Sequence, residues 1–120
     1  FEKTANQGLA AAQNSLGTCY EDGEGVPKDL KKAVSLYMRA AEQGNSQAQF
    51  NLGLIYEGGK GVPKDLKKVV FWYTKAAEQE NAQAQFNLGI CYEKGKGVEQ
   101  DFKKSAHWIK KSKEPRKGAK

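Results

Sequence analysis

AQFNLG at Ala48 to Gly53 returns letter for letter at Ala84 to Gly89, and GVPKDLKK at Gly25 to Lys32 returns at Gly61 to Lys68; both intervals are 36 residues. Self-similarity at a fixed interval is the signature of stacked supersecondary units, each too small to bury its apolar face alone. Working outward from these strings, the same interval joins Gly17, Gly53 and Gly89; Tyr20, Tyr56 and Tyr92; Gly23, Gly59 and Gly95; and Asp29, Asp65 and Asp101. Three copies of one unit therefore account for most of the 120 residues.

Within the second copy, Ala48, Leu52, Ile55 and Tyr56 fall on one stripe of a helix spanning Gln47 to Glu57, which marks them as core. Gly58 to Lys64 interrupts that helix, because its glycines accept positive φ and Pro63 cannot continue a helix interior. Asp65 is placed to cap a second helix, whose apolar face is Leu66, Val69, Val70, Tyr73, Ala76 and Ala77. Each copy is thus a helix, a glycine loop and a helix. The class expected is all-α, a solenoid of stacked antiparallel helix pairs.

The residues AQAQFNLGICYEKGKGVEQDFKK at Ala82 to Lys104, with AAEQG at Ala40 to Gly44, closely resemble the Sel1-like repeat, a relative of the tetratricopeptide repeat. The resemblance implies a right-handed α-solenoid with a concave surface. Repeats are expected at residues 9–44, 45–80 and 81–113. Phe1 to Gly8 (FEKTANQG) aligns with Tyr37 to Gly44 (YMRAAEQG), so residues 1–8 are expected to end a preceding repeat helix. In the third copy Glu99, Ile109 and Lys113 replace Pro63, Tyr73 and Ala77, the pattern of a C-terminal cap. Residues 114–120, with Pro115 and Gly118, form a basic tail expected to be flexible.

A chain of this length holds one modest core, and none of its segments approaches the ~20 apolar residues of a membrane span. The net charge is +6, but Lys110 to Lys120 alone contributes +5, so the repeat body is close to neutral. That distribution disfavours a nucleic-acid reading. The recurring pairs Lys31 and Lys32, Lys67 and Lys68, and Lys103 and Lys104 are expected to be a solvated face, with Phe71 exposed nearby.

Catalytic chemistry has little to work with. His107 is the single histidine and falls on the polar side of a second helix, in line with Ser35 and Phe71. Cys19 and Cys91 lie two periods apart at the position of Ile55, which predicts free, buried thiols rather than a disulfide or a metal site. The glycine loops lack the strand, Gly-Lys-Ser/Thr and helix of a phosphate cradle. By resemblance, some Sel1-like proteins carry a disulfide in every repeat and are associated with β-lactam binding or hydrolysis. The paired cysteines of that subgroup are absent here.

A binding surface is better marked. On the first helix of the second copy, Gln47, Phe50 and Leu54 form an apolar stripe nearly opposite the core stripe; Gln83, Phe86 and Ile90 repeat it in the third. The first copy is weaker, with Ala11, Asn14 and Thr18. Resemblance to tetratricopeptide domains places Gln47, Phe50, Asn51, Leu54 and Glu57, with Gln83, Phe86, Asn87, Ile90 and Glu93, on the concave face toward a bound peptide. The Asn amides can both donate to and accept from a peptide backbone. The expectation is a non-enzymatic adaptor or scaffold that binds a peptide or helix of another protein, without cofactor, metal or membrane insertion. A spacer or self-association role through the repeat ends is the alternative. Free thiols and the absence of Asn-x-Ser/Thr point to a cytoplasmic setting.

Overall fold

A computed structural model of the chain describes the backbone of residues 2–115 and the side chains of residues 8–115. Six helices and no strands occur among them: α1 (Glu2–Asp22), α2 (Leu30–Glu42), α3 (Ser46–Gly58), α4 (Leu66–Glu78), α5 (Ala82–Lys94) and α6 (Phe102–Ser112). α1 pairs with α2, α3 with α4 and α5 with α6, while α2 against α3 and α4 against α5 join the pairs into a solenoid. Arg116 to Lys120, most of the expected flexible tail, lie outside the described residues.

The local signals act where the sequence puts them. Asp29, Asp65 and Asp101 each cap a second helix, their carboxylates accepting from the backbone N–H of Lys32, Lys67 with Lys68, and Lys104. The loops close alike in every copy, with the N–H of the capping Asp donating to the carbonyl of Tyr20, Tyr56 or Tyr92 at 2.9, 3.2 and 2.9 Å. Gly97 shows why glycine is required in the loop. Its φ is +75°, and a Cβ there would run into the Leu66 carbonyl of the preceding pair.

α1 departs from the expectation that a preceding helix ends near residue 8. It runs unbroken through Gly8 and Leu9, whereas the chain turns at the matching points of the later copies. The cause is chemical. Asn45 and Asn81 cap α3 and α5 by accepting from Ala48 N–H and Ala84 N–H at 2.8 and 2.9 Å, and Leu9 at the equivalent place has no acceptor to start a helix. Gly44 (φ 93°) and Glu80 (φ 66°) supply the left-handed residue before those caps; Gly8 is not left-handed.

The core is thin and close-packed. Ala48, Leu52, Ile55 and Tyr56 of α3 meet Val69, Tyr73, Ala76 and Ala77 of α4, all buried as expected, while Leu66 and Val70 are half-buried at its edge. Each first helix bears a glycine where a side chain of its partner helix presses on its backbone: Tyr37 on Gly17, Tyr73 on Gly53 and Ile109 on Gly89. Adjacent repeats are joined by two buried amides, with Gln49 Nε2 donating to Ala41 O and Gln85 Nε2 to Ala77 O, each at 3.1 Å. α6 buries only Ser105 fully, in keeping with its more polar sequence.

Both cysteines are free, but they differ in burial. Cys91 is buried and Cys19 is only half-buried, correcting the expectation of two buried thiols. Ile55 and Cys91 have a helix pair stacked ahead of them, and among the described residues Cys19 has none.

Candidate functional site

The face formed by α3 and α5 carries the ten residues expected to bind. Two hollows open on it. One, of about 450 Å³, is lined by Phe50, Gln83, Phe86 and Asn87, with Ala82 and the α6 terminus at Ser112 and Lys113. The other, of about 270 Å³, is lined by Glu57, Tyr73, Phe86, Asn87, Ile90, Cys91 and Lys96. Phe86 and Asn87 belong to both and form the ridge between them. Six of the ten residues are thus brought together, while Gln47, Asn51, Leu54 and Glu93 line neither hollow.

Equivalent letters in the two copies take different environments. Phe50 is only 6% exposed and stacks on Tyr73 with ring centroids 5.8 Å apart, so it is part of the core rather than a free apolar contact. Phe86 is 44% exposed. Its copy has Ile109 where the second has Tyr73, and no further helix pair among the described residues covers it. Leu54 is also exposed, at 41%, and Ile90 is half-buried.

The polar members differ in the same way. Asn51 is already occupied, its Nδ2 donating to Asn14 Oδ1 at 2.9 Å and its Oδ1 accepting from Gln47 Nε2 at 3.3 Å. The Asn87 side chain lines the same hollow as Tyr73. Glu57 accepts from Tyr73 Oη at 2.8 Å and from Lys96 Nζ at 3.1 Å, tying its own repeat to the next. Glu21 is bound similarly by Tyr37 Oη at 2.6 Å and Lys60 Nζ at 3.8 Å. Glu93 is exposed, because its copy has Ile109 in place of the tyrosine.

Burial alone would raise the Glu57 carboxyl pKa, but the Tyr73 hydroxyl and the Lys96 ammonium outweigh it and hold the group below the usual carboxylate range. Burial, then the hydrogen bond to the neighbouring carboxylate, pushes the Tyr37 and Tyr73 hydroxyls well above the ordinary tyrosine range. Burial likewise raises the Cys91 thiol, with a smaller push from the charge of Glu57.

Sequence reasoning overlooked these ties. Their signal was present, since Glu21 and Glu57 precede Tyr37 and Tyr73 by 16 residues, and Lys60 recurs as Lys96 after one period. His107 is exposed, with its ring edge-on to Trp108. Among the described residues no group of three or more His, Cys, Asp or Glu side chains could hold a metal ion, and no helix is long and apolar enough to cross a membrane.

Stacked helix pairs, polar ties between repeats and a grooved face of apolar and amide side chains define an α-solenoid repeat protein of the interaction-module class. The Sel1 repeat model matches residues 10–45, 46–81 and 82–114, and the chain belongs to the Sel1 repeat family. A Sel1 repeat protein from Oxalobacter formigenes superposes with a TM-score of 0.85 at 43% identity, over 86% of this chain and 42% of that one. A protective antigen of uropathogenic Escherichia coli gives 0.85 at 42% identity, over 90% of this chain and 23% of that one. Helicobacter pylori cysteine rich protein B gives 0.71 at 25% identity, over 89% and 87%. The DAP3-binding cell death enhancer 1 proteins of Rattus norvegicus and Mus musculus are 50% and 47% identical over 34 residues, which is 28% of this chain and 7% of theirs. Proteins of this family serve in general as protein-interaction modules and non-enzymatic scaffolds.

Proposed function

We propose that the chain is an adaptor segment that holds a peptide or helix of a partner protein across the face of α3 and α5, on the ridge made by Phe86 and Asn87. The observation that carries this reading is the pair of adjoining hollows sharing those two residues. An apolar side chain on either side of Phe86 fills a hollow, and the Asn87 amide offers hydrogen bonding to the backbone running between them. Glu57 and Lys96 at one rim and Lys113 at the other set the polar ends of the contact. The mammalian relatives are named for binding another protein, which supports the same kind of role here.

Peptides selected from a random library on the immobilised chain test this directly. Their affinity for Phe86→Ala and Asn87→Ala is expected to fall at least about tenfold, the scale of a central interface anchor. Circular dichroism establishes that each variant is folded. Unchanged affinity in both variants refutes this placement of the site.

A further inference from the structure

A second exposed surface lies on α4, away from the groove of α3 and α5. Phe71 is 51% exposed and meets Trp72 edge to face, with centroids 4.9 Å apart and rings at 83°. Beside this pair is a hollow of about 370 Å³ lined by Met38, Tyr56, Lys67, Lys68, Phe71 and Trp72. Its two charged residues are both cationic. Neither Lys67 nor Lys68 forms an ion pair among the described residues, and the Lys68 ammonium rests over the Tyr56 ring at 5.1 Å.

Across the Phe71–Trp72 pair the surface changes sign. The neighbouring hollow includes Glu42 and Glu78 alongside Lys75, whose ammonium lies 5.5 Å from the Phe71 ring centre. A hollow lined by cations without carboxylates therefore lies on the Lys67 and Lys68 side, while Lys75 on the other side is outnumbered by Glu42 and Glu78. The arrangement is not a mere product of the repeat, because the first copy has Ser35 and Leu36 at these positions. The third copy extends it, with His107 and Trp108 edge to face at 5.1 Å and 78°, and with Lys103 and Lys104 equivalent to Lys67 and Lys68.

We propose that the exposed face of α4 is a second docking surface, for an acidic peptide segment that seats an apolar side chain between Met38, Tyr56 and Trp72 and places carboxylates on Lys67 and Lys68. Charge complementarity selects this occupant, since the hollow offers two cations and no carboxylate. The exposed Phe71 against the half-buried Trp72, at the edge of an apolar hollow, supplies the anchor that a charged contact alone lacks. Single-stranded nucleic acid fits less well. Successive bases stack on roughly parallel ring faces, and the two rings here are nearly perpendicular.

The chain has two tryptophans, and Trp108→Phe leaves Trp72 as the sole tryptophan, excited selectively over the tyrosines at the red edge of its absorption. In that background, a short synthetic peptide with a Leu-Leu centre flanked by glutamates is titrated against intrinsic fluorescence. A matched peptide with glutamines and an oligothymidylate serve as comparisons. The acidic peptide is expected to give a saturable shift in emission that weakens as salt rises. Phe71→Ser, which places there the residue the first copy uses, and Lys67→Glu are each expected to weaken binding about tenfold. No change in emission, equal binding of the glutamine peptide, or tighter Phe71-dependent binding of the oligothymidylate overturns the proposal.

Discussion

Replacing Gly53 by Ala tests how closely the two helices of a repeat approach. In a helix interior the change alone is worth about 1 kcal/mol of stability, because alanine is the better helix former. At Gly53, however, the new Cβ would overlap Cε1 and Cδ1 of Tyr73 and stand 3.1 Å from its Cζ. The ring has nowhere to retreat: it is 1% exposed, stacked on Phe50 and anchored through its hydroxyl to Glu57 at 2.8 Å. Carbon atoms need about 3.5–4.0 Å, so α4 must move outward by roughly an ångström or the tyrosine must leave its site. Overpacking of that kind costs about 1–3 kcal/mol, and loss of a hydrogen bond to a charged group adds about 1.5–3 kcal/mol. Net of the helix gain of about 1 kcal/mol, Gly53→Ala is expected to destabilise the chain by about 1.5–5 kcal/mol.

Gly17→Ala provides the internal comparison. There the Cβ would lie 2.8 Å from the Tyr37 ring, a smaller intrusion, so the helix gain largely offsets the clash and the net change is expected within about 1 kcal/mol of zero. Urea denaturation followed by far-ultraviolet circular dichroism resolves the difference, and thermal unfolding reads the same difference as a Tm gap of about 4–8 °C per kcal/mol or somewhat less. In a Tyr73→Ala background, Gly53→Ala should reverse sign and stabilise by about 1 kcal/mol. Equal effects at Gly17 and Gly53, or a destabilisation that persists without the tyrosine, would refute the close-approach reasoning.

Three further outcomes follow from the same geometry. Glu57 has a carboxyl pKa lowered from its ordinary value of 4.5, so its stabilising contribution is present above that value and disappears as pH falls through the folded pKa. Glu57→Gln should therefore lower stability at neutral pH and flatten the loss on acidification, as read from denaturation midpoints across the acid range; parallel curves would contradict the tie. Thiol titration should show a faster-reacting Cys19 and a slower Cys91, which is buried with a raised pKa, the two becoming alike in denaturant. Two equally fast thiols in the native protein would argue against that packing. Glu80 holds a left-handed φ of 66° where the preceding repeat has Gly44, and Glu80→Gly is expected to stabilise by about 0.5–1 kcal/mol, measured by the same urea assay. A loss of stability would show that contacts of the Glu80 side chain outweigh its backbone strain.

The groove was legible in part. Its residues sit on one stripe of each first helix, and helical geometry places such positions without further information. Their use depends on what stacks next. Phe50 and Phe86 are the same residue at the same repeat position, yet one is core and the other surface, because Tyr73 closes over the first and Ile109 stands at the corresponding place for the second. Lys68 is exposed as the sequence leads one to expect, and the structure adds that its ammonium lies over the Tyr56 ring of the preceding helix.

By itself the sequence determined the period, the helix pairs, the aspartate caps and the glycine loops. Each rests on interactions within a few residues of chain, so a repeated string is enough to specify them. Tertiary structure alone decided which recurring letters became ties, core or surface: Glu57 bound and Glu93 exposed, Cys91 buried and Cys19 half-open. It also set the perpendicular ring pair of Phe71 and Trp72 beside its lysines. The physical reason is that burial and pairing belong to the contact between neighbouring repeats, and neighbours differ along a stack even where the repeated sequence does not.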